Sequence, residues 1–187
     1  MKQISLISKK YYDNLFPLLY KGFSQKPYAR YTCMPSFTNE YAFSVEKIEN
    51  ECYIISNSLS ESYWYAEKKE FVKVITNKTE ISNDLYLKIG ELFKLLAEQT
   101  KEYDKDVGGI DGVKYYFTTT NKNGELKVGK TWSPDKNSLL GRLVKICDNM
   151  YLIGMGKNVS QSEVLKEISL LITDLKQVIT SVFRRHW

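Results

Sequence analysis

The chain has 187 residues, is 43% hydrophobic and 26% charged, and so has the length and make-up of one soluble globular domain. Its net charge of +5 comes mostly from lysine, with arginine only at Arg30, Arg142, Arg184 and Arg185, and such scarcity argues against a dedicated reader of bases or phosphates. No run approaches the 18 apolar residues of a membrane span, and the opening MKQISLISKKYY lacks the apolar stretch of a signal peptide, so a cytoplasmic protein is expected.

Residues 1–30 hold Lys2, Lys9, Lys10, Lys21, Lys26 and Arg30 against Asp13 alone, which is the entire charge excess. Within them, residues 8–23 predict either one short amphipathic helix or two shorter pieces broken near Pro17, because proline lacks the N–H a helix interior needs. Residues 24–39, with Pro27 and Pro35, predict an irregular connection. Residues 41–77 read as a meander of short β-branched and aromatic strands: YAFSVEKI, CYIISNS, SYWYA and FVKVIT. Residues 83–101 predict a helix capped by Ser82 or Asn83, with Leu85, Ile89, Leu92, Phe93 and Leu96 on one face. Residues 113–132 predict a hairpin turning at NKNG, where Asn and Gly supply positive φ. Residues 134–151 predict a helix capped by Ser133 with Pro134 in first position. Ser160 and Glu163 form a capping box for the last helix. Its Val164, Ile168, Leu171, Leu175, Val178 and Val182 follow heptad spacing, which suits packing within the chain or a homodimeric coiled coil. The expected architecture is one α+β domain over residues 1–187. A mostly antiparallel sheet (meander 41–77 plus hairpin 113–132) packs against three to four helices, including a long C-terminal one.

The stretch GELKVGKT, residues 124–131, spells the G-x-x-x-x-G-K-[ST] phosphate loop. That loop needs a helix starting at its Gly-Lys, so that free N–H groups point at the phosphates. Pro134 would fall in the second turn of such a helix and break it. A hairpin fits better, with Leu126, Val128 and Trp132 on one, half-buried face of a strand. A nucleotide-binding enzyme built on this motif is the third-ranked reading.

Other chemistry finds little support. The single histidine, His186, sits beside the C-terminus, which leaves no base for a serine or cysteine nucleophile and no histidine-based metal site. Cys33, Cys52 and Cys147 are odd in number and far apart, so buried thiols are expected rather than disulfides or a zinc motif. The acidic run Asp104-x-Asp106…Asp111 lacks calcium-loop order and has Tyr115 at the twelfth position. No catalytic residue, cofactor or metal is expected.

What remains is recognition. The segment 9–31 mixes cations with aromatics, offering Lys9, Lys10, Tyr11, Tyr12, Lys21, Lys26, Tyr28 and Arg30 to a partner. The first reading is an amphipathic helix packed on the core with its lysines in water; as a binding surface it would suit an acidic protein first, and nucleic acid or a membrane surface after that. A second candidate surface is SYWYAEKKEF, residues 62–71, where a strand would put Tyr63 and Tyr65 on one face and Trp64 on the other.

Residues 107–152 carry GIDGVKYYFTTT, GKTWSP and NSLLGRLVKICDNM. The run resembles small uncharacterised bacterial α+β proteins of the toxin-immunity type, in which a glycine-flanked aspartate opens a hairpin, Trp-Ser-Pro closes it and a helix follows. The resemblance implies a protein that binds and blocks a toxin; it assigns no functional residue. The expected function is therefore a non-enzymatic, cytosolic protein-binding protein in an immunity or inhibitor role. The alternative is nucleic-acid binding through the basic N-terminal segment.

Overall fold

The computed structural model describes residues 2–99 and 111–184. Eleven segments follow in chain order: α1 (Lys2–Leu19), β1 (Ala29–Pro35), β2 (Tyr41–Ile48), β3 (Glu51–Leu59), a single 3-10 turn (Lys69–Phe71), β4 (Val74–Ile81), α2 (Asn83–Gln99), β5 (Val113–Thr120), β6 (Leu126–Trp132), α3 (Leu139–Gly154) and α4 (Gln161–Arg184). The strands form one antiparallel sheet in the order β4-β3-β2-β1-β5-β6. This is the expected α+β architecture.

Period two decides the two faces of the sheet. Ala29, Tyr31 and Cys33 of β1, Phe43 and Val45 of β2, Cys52 and Ile54 of β3 and Phe117 of β5 face a layer built by α2, α3 and α4. There α4 packs against both α2 and α3, burying Val164, Ile168, Leu171, Ile172 and Leu175. Each such side chain stabilises the fold by about 1.5–3 kcal/mol relative to exposure. The seam from Val164 to Leu175 is thus packed inside the chain, whereas Val178 is exposed and the Val182 side chain lies outside the described residues. On the opposite face, Met34, Ala42 and Leu59 pack under Leu15 and Leu19 of α1 and under Phe23. The three cysteines are free and buried, as expected.

Several expectations are corrected. Residues 24–39 contain β1, a buried central strand paired with both β2 and β5. Its flanking prolines misled: Pro27 precedes the strand and Pro35 is its last residue, so neither removes an interior ladder bond. Of the two alternatives for the N-terminal helix, the unbroken one forms: α1 runs through Pro17, although it begins at Lys2 and ends at Leu19 rather than spanning 8–23. Residues 62–66 form a turn rather than a strand, and the last strand of the meander begins at Val74. α3 begins at Leu139 under a Ser138 cap, not at Pro134. An Asp135 turn delays it: Asp135 accepts from Asn137 N at 2.8 Å and from Ser138 N at 3.0 Å. Ser133 instead takes φ +34° and accepts a bond from Val113 N.

The 113–132 hairpin forms as expected, turning at Gly124 (φ +80°) with Asn121 Oδ1 accepting from the N–H groups of Asn123 and Glu125. Gly129, Lys130 and Thr131 lie in β6, and no helix starts there. Leu126 and Val128 are exposed, however, not half-buried, because β6 is an edge strand. The acidic positions Asp104 and Asp106, and His186, lie outside the described residues.

Candidate partner interface

β3 and β4 are adjacent antiparallel strands that a two-residue turn would join. Residues 60–73 connect them instead. The ends of this loop are clamped: Ser60 N donates to Lys73 O at 2.9 Å, and Lys73 N to Ser60 Oγ at 3.0 Å. Inside it, Ala66 N donates to Ser62 O at 2.9 Å, and Lys69 Nζ donates to Trp64 O and Ala66 O at 2.9 and 2.7 Å. Tyr63, Ala66 and Val72 are buried beneath it. Closely spaced ends and a self-packed interior define a compact Ω-type loop.

The loop turns its other rings outward. Trp64 is 52% exposed, Tyr65 56% and Phe71 64%. A turn does not alternate faces, so Trp64 and Tyr65 are exposed together while Tyr63 is buried, against the alternation expected of a strand. Residues 36–40 leave the sheet at the same end and add Phe37, 66% exposed.

Both sequence-level candidate surfaces meet here. Tyr11 of α1 packs edge-on to Trp64 at 5.1 Å between ring centroids, and lies 5.9 Å from Tyr63. Glu40, fully buried, ties the pieces together. Its Oε1 accepts from Tyr11 OH at 2.5 Å and its Oε2 from Tyr63 N at 2.9 Å. Burial first, then Glu40, pushes the Tyr11 phenol above its ordinary range, so it stays a donor. Tyr12 stacks on Phe16 at 5.5 Å and receives a 3.3 Å hydrogen bond from Lys114 Nζ.

The remaining candidates divide. Lys10, Lys21, Lys26 and Tyr65 are exposed; the Lys9 side chain lies outside the described residues. Tyr28 is half-buried and stacks on Tyr86 at 4.3 Å. Two positions are corrected as surface contacts. Tyr63 is buried under the loop, and Arg30 is buried in the sheet face, where it donates to Ser24 O and lies 4.4 Å over the Tyr20 ring. Arg30 is thus spent on holding the turn after α1. Sequence reasoning named the stretch 62–71 but missed that Trp64 and Tyr65 are exposed together, and it did not consider Phe37. The four consecutive charges Glu67-Lys68-Lys69-Glu70 were the available signal, since a sheet interior does not accommodate them.

The charges of the loop cancel: Glu61, Glu67 and Glu70 face Lys68, Lys69 and Lys73. Among the described residues, no group of three or more His, Cys, Asp or Glu is placed to hold a metal ion, and no helix is long and apolar enough to cross a membrane. No protein-family model, curated protein or solved structure matches the chain.

Proposed function

We propose that the chain is a non-enzymatic protein-binding protein that docks its partner on the aromatic end of the sheet. One observation carries this reading: an ordered loop hides Tyr63, Ala66 and Val72 yet presents Trp64, Tyr65 and Phe71 to solvent. Tyrosine and tryptophan dominate binding energy at interfaces, and rings on a fixed backbone lose little entropy when they dock. The balanced charge of the loop suits a mixed protein surface. Single-stranded nucleic acid would call for a cationic track beside the rings. Exposed Lys10, next to Tyr11, offers an acidic partner a favourable contact at the rim. An immunity or inhibitor role, implied by the resemblance of residues 107–152, is the specific form of this proposal, and three buried free thiols suit a reducing cytoplasm.

The test is affinity capture from nuclease-treated lysate of the source organism and its neighbours at about 0.15 M salt. Wild type is run beside a Trp64→Ala/Phe71→Ala variant. Wild type is expected to retain a stoichiometric protein that the variant loses by about tenfold or more, with both unfolding at the same temperature. Equal capture by the two proteins, or capture that vanishes with nuclease, would sink the proposal; the second result would favour nucleic acid.

A further inference from the structure

We propose that the Asp148 carboxylate and the tyrosines around it form a separate binding site for a primary alkylammonium group. Cys33 pairs with Tyr41 on one side and with Tyr115 on the other, so the two rings share one row on the helix-covered face of the sheet. α3 crosses that row. It brings Asp148 over Tyr31 and Tyr41, and sets Tyr151, three residues on, against the Tyr41 ring at 4.3 Å. Tyr115 stacks on Tyr31 at 5.9 Å. Tyr41, Tyr115, Tyr151 and Asp148 are all half-buried, so the cluster reaches the surface.

The carboxylate has no counter-charge. Its Oδ1 takes both phenol hydrogen bonds, and its Oδ2 takes none from any described residue yet is not sealed from solvent. The two cations of α3 pair with α4 instead: Arg142 with Asp174 at 2.5 Å and Lys145 with Glu167 at 3.8 Å. Among the described residues, no ion pair reaches Asp148. Burial, Cys33 and then Asp148 hold the Tyr115 phenol up to about 12, which places that ring too within the field of the carboxylate. A carboxylate partly withdrawn from water without a cation costs stability, and the positive charge of a ligand would offset that cost.

Chemistry selects the cation. A guanidinium grips a carboxylate through both oxygens, and Oδ1 is already taken. A hard dication needs several oxygen ligands, and one carboxylate supplies too few. A quaternary ammonium needs open ring faces, whereas these rings stack on one another. A primary ammonium needs one acceptor for its point charge and an apolar wall for its alkyl stem. Oδ2 supplies the first, and the Tyr115 and Tyr151 rings supply the second.

The probe is n-butylammonium chloride, titrated to millimolar concentration into the full chain at neutral pH and read from amide and tyrosine NMR shifts. Saturable shifts are expected at Asp148, Tyr41 and Tyr151, with tetramethylammonium and methylguanidinium binding at least about tenfold more weakly. Asp148→Asn keeps an acceptor for both phenols and lacks the charge, so it is expected to fold and to weaken butylammonium binding by about tenfold or more. Nα-acetyl-lysinamide presents the same ammonium on a peptide unit. Binding about tenfold tighter than that of butylammonium would assign the site to a lysine of a partner protein, and equal binding would assign it to a small free amine. Absence of shifts at these residues, shifts that persist in Asp148→Asn, or equal binding of tetramethylammonium would overturn the proposal. Asp148 lies on the opposite face of the sheet from Tyr11 and Trp64, so this titration and the lysate capture fail independently.

Discussion

Tyr31 and Tyr41 both donate to Asp148 Oδ1, each at 2.8 Å, and so join β1 and β2 to α3. Burial raises the Asp148 carboxyl above its ordinary 3.8, and the two phenol bonds pull it part of the way back. The same burial pushes the neighbouring Cys33 thiol up to about 12, which leaves it unreactive. An acid that holds its proton more tightly in the folded state contributes most below its unfolded pKa, and that contribution fades as pH rises through the folded value. Asp148→Asn keeps an acceptor for both phenols and removes the desolvated charge. Its stability relative to wild type is therefore expected to improve between about pH 4 and pH 7, as read by denaturant unfolding at the two ends. A difference that stays flat across that interval would show that the ionised carboxylate is well compensated in the fold. Helical periodicity in the sequence placed Asp148 beside a core-facing cysteine. It carried no sign of Tyr31, because the bond joins residues 117 positions apart.

The close approach of α3 to the sheet rests on one missing side chain. A Cβ at Gly154 would come within 2.1 Å of Ser56 Oγ and 2.6 Å of Ile54 Cγ2, both in a buried strand. Gly154 O also accepts from Thr79 Oγ1 at 3.1 Å, so the end of α3 is held to two strands. Alanine would gain up to about 1 kcal/mol of helix propensity and lose about 1–3 kcal/mol to overpacking. Gly154→Ala is accordingly expected to lower the melting temperature; a rise would mean that β3 yields without cost. Gly154 is the final residue of the helix and its contact point with the sheet.

The molecule has two apolar cores, one on each face of the sheet. The larger lies under α2, α3 and α4; the smaller lies under α1 and the 60–73 loop, with Glu40 buried inside it. Removing that carboxylate strands two donors, Tyr11 OH and Tyr63 N–H, at a cost of about 1–3 kcal/mol. Because the cores sit on opposite faces, the loss is expected to stay local. Glu40→Ala should speed amide exchange in α1 and the 60–73 loop and leave the middle of α4 protected. Uniform acceleration across both faces would show a single cooperative unit, and the aromatic end could not then be loosened independently.

Periodicity and capping are local, so the sequence alone determined β2, β3, the 113–132 hairpin, α2, α4 and the α+β class. Turn chemistry at Asn121 and Gly124 likewise exposed the phosphate-loop spelling as a hairpin. Tertiary context decided the rest. β1 is a strand because two neighbours pair with it, although its prolines argued otherwise. Tyr63 and Arg30 are buried, and Trp64 and Phe71 exposed, because a closed loop and a docked helix place side chains by three-dimensional closure rather than by period two. The meeting of α1 with the 60–73 loop, through a carboxylate far from both in sequence, has no local signature, since long-range burial and pairing energies reside in contacts that no single segment contains.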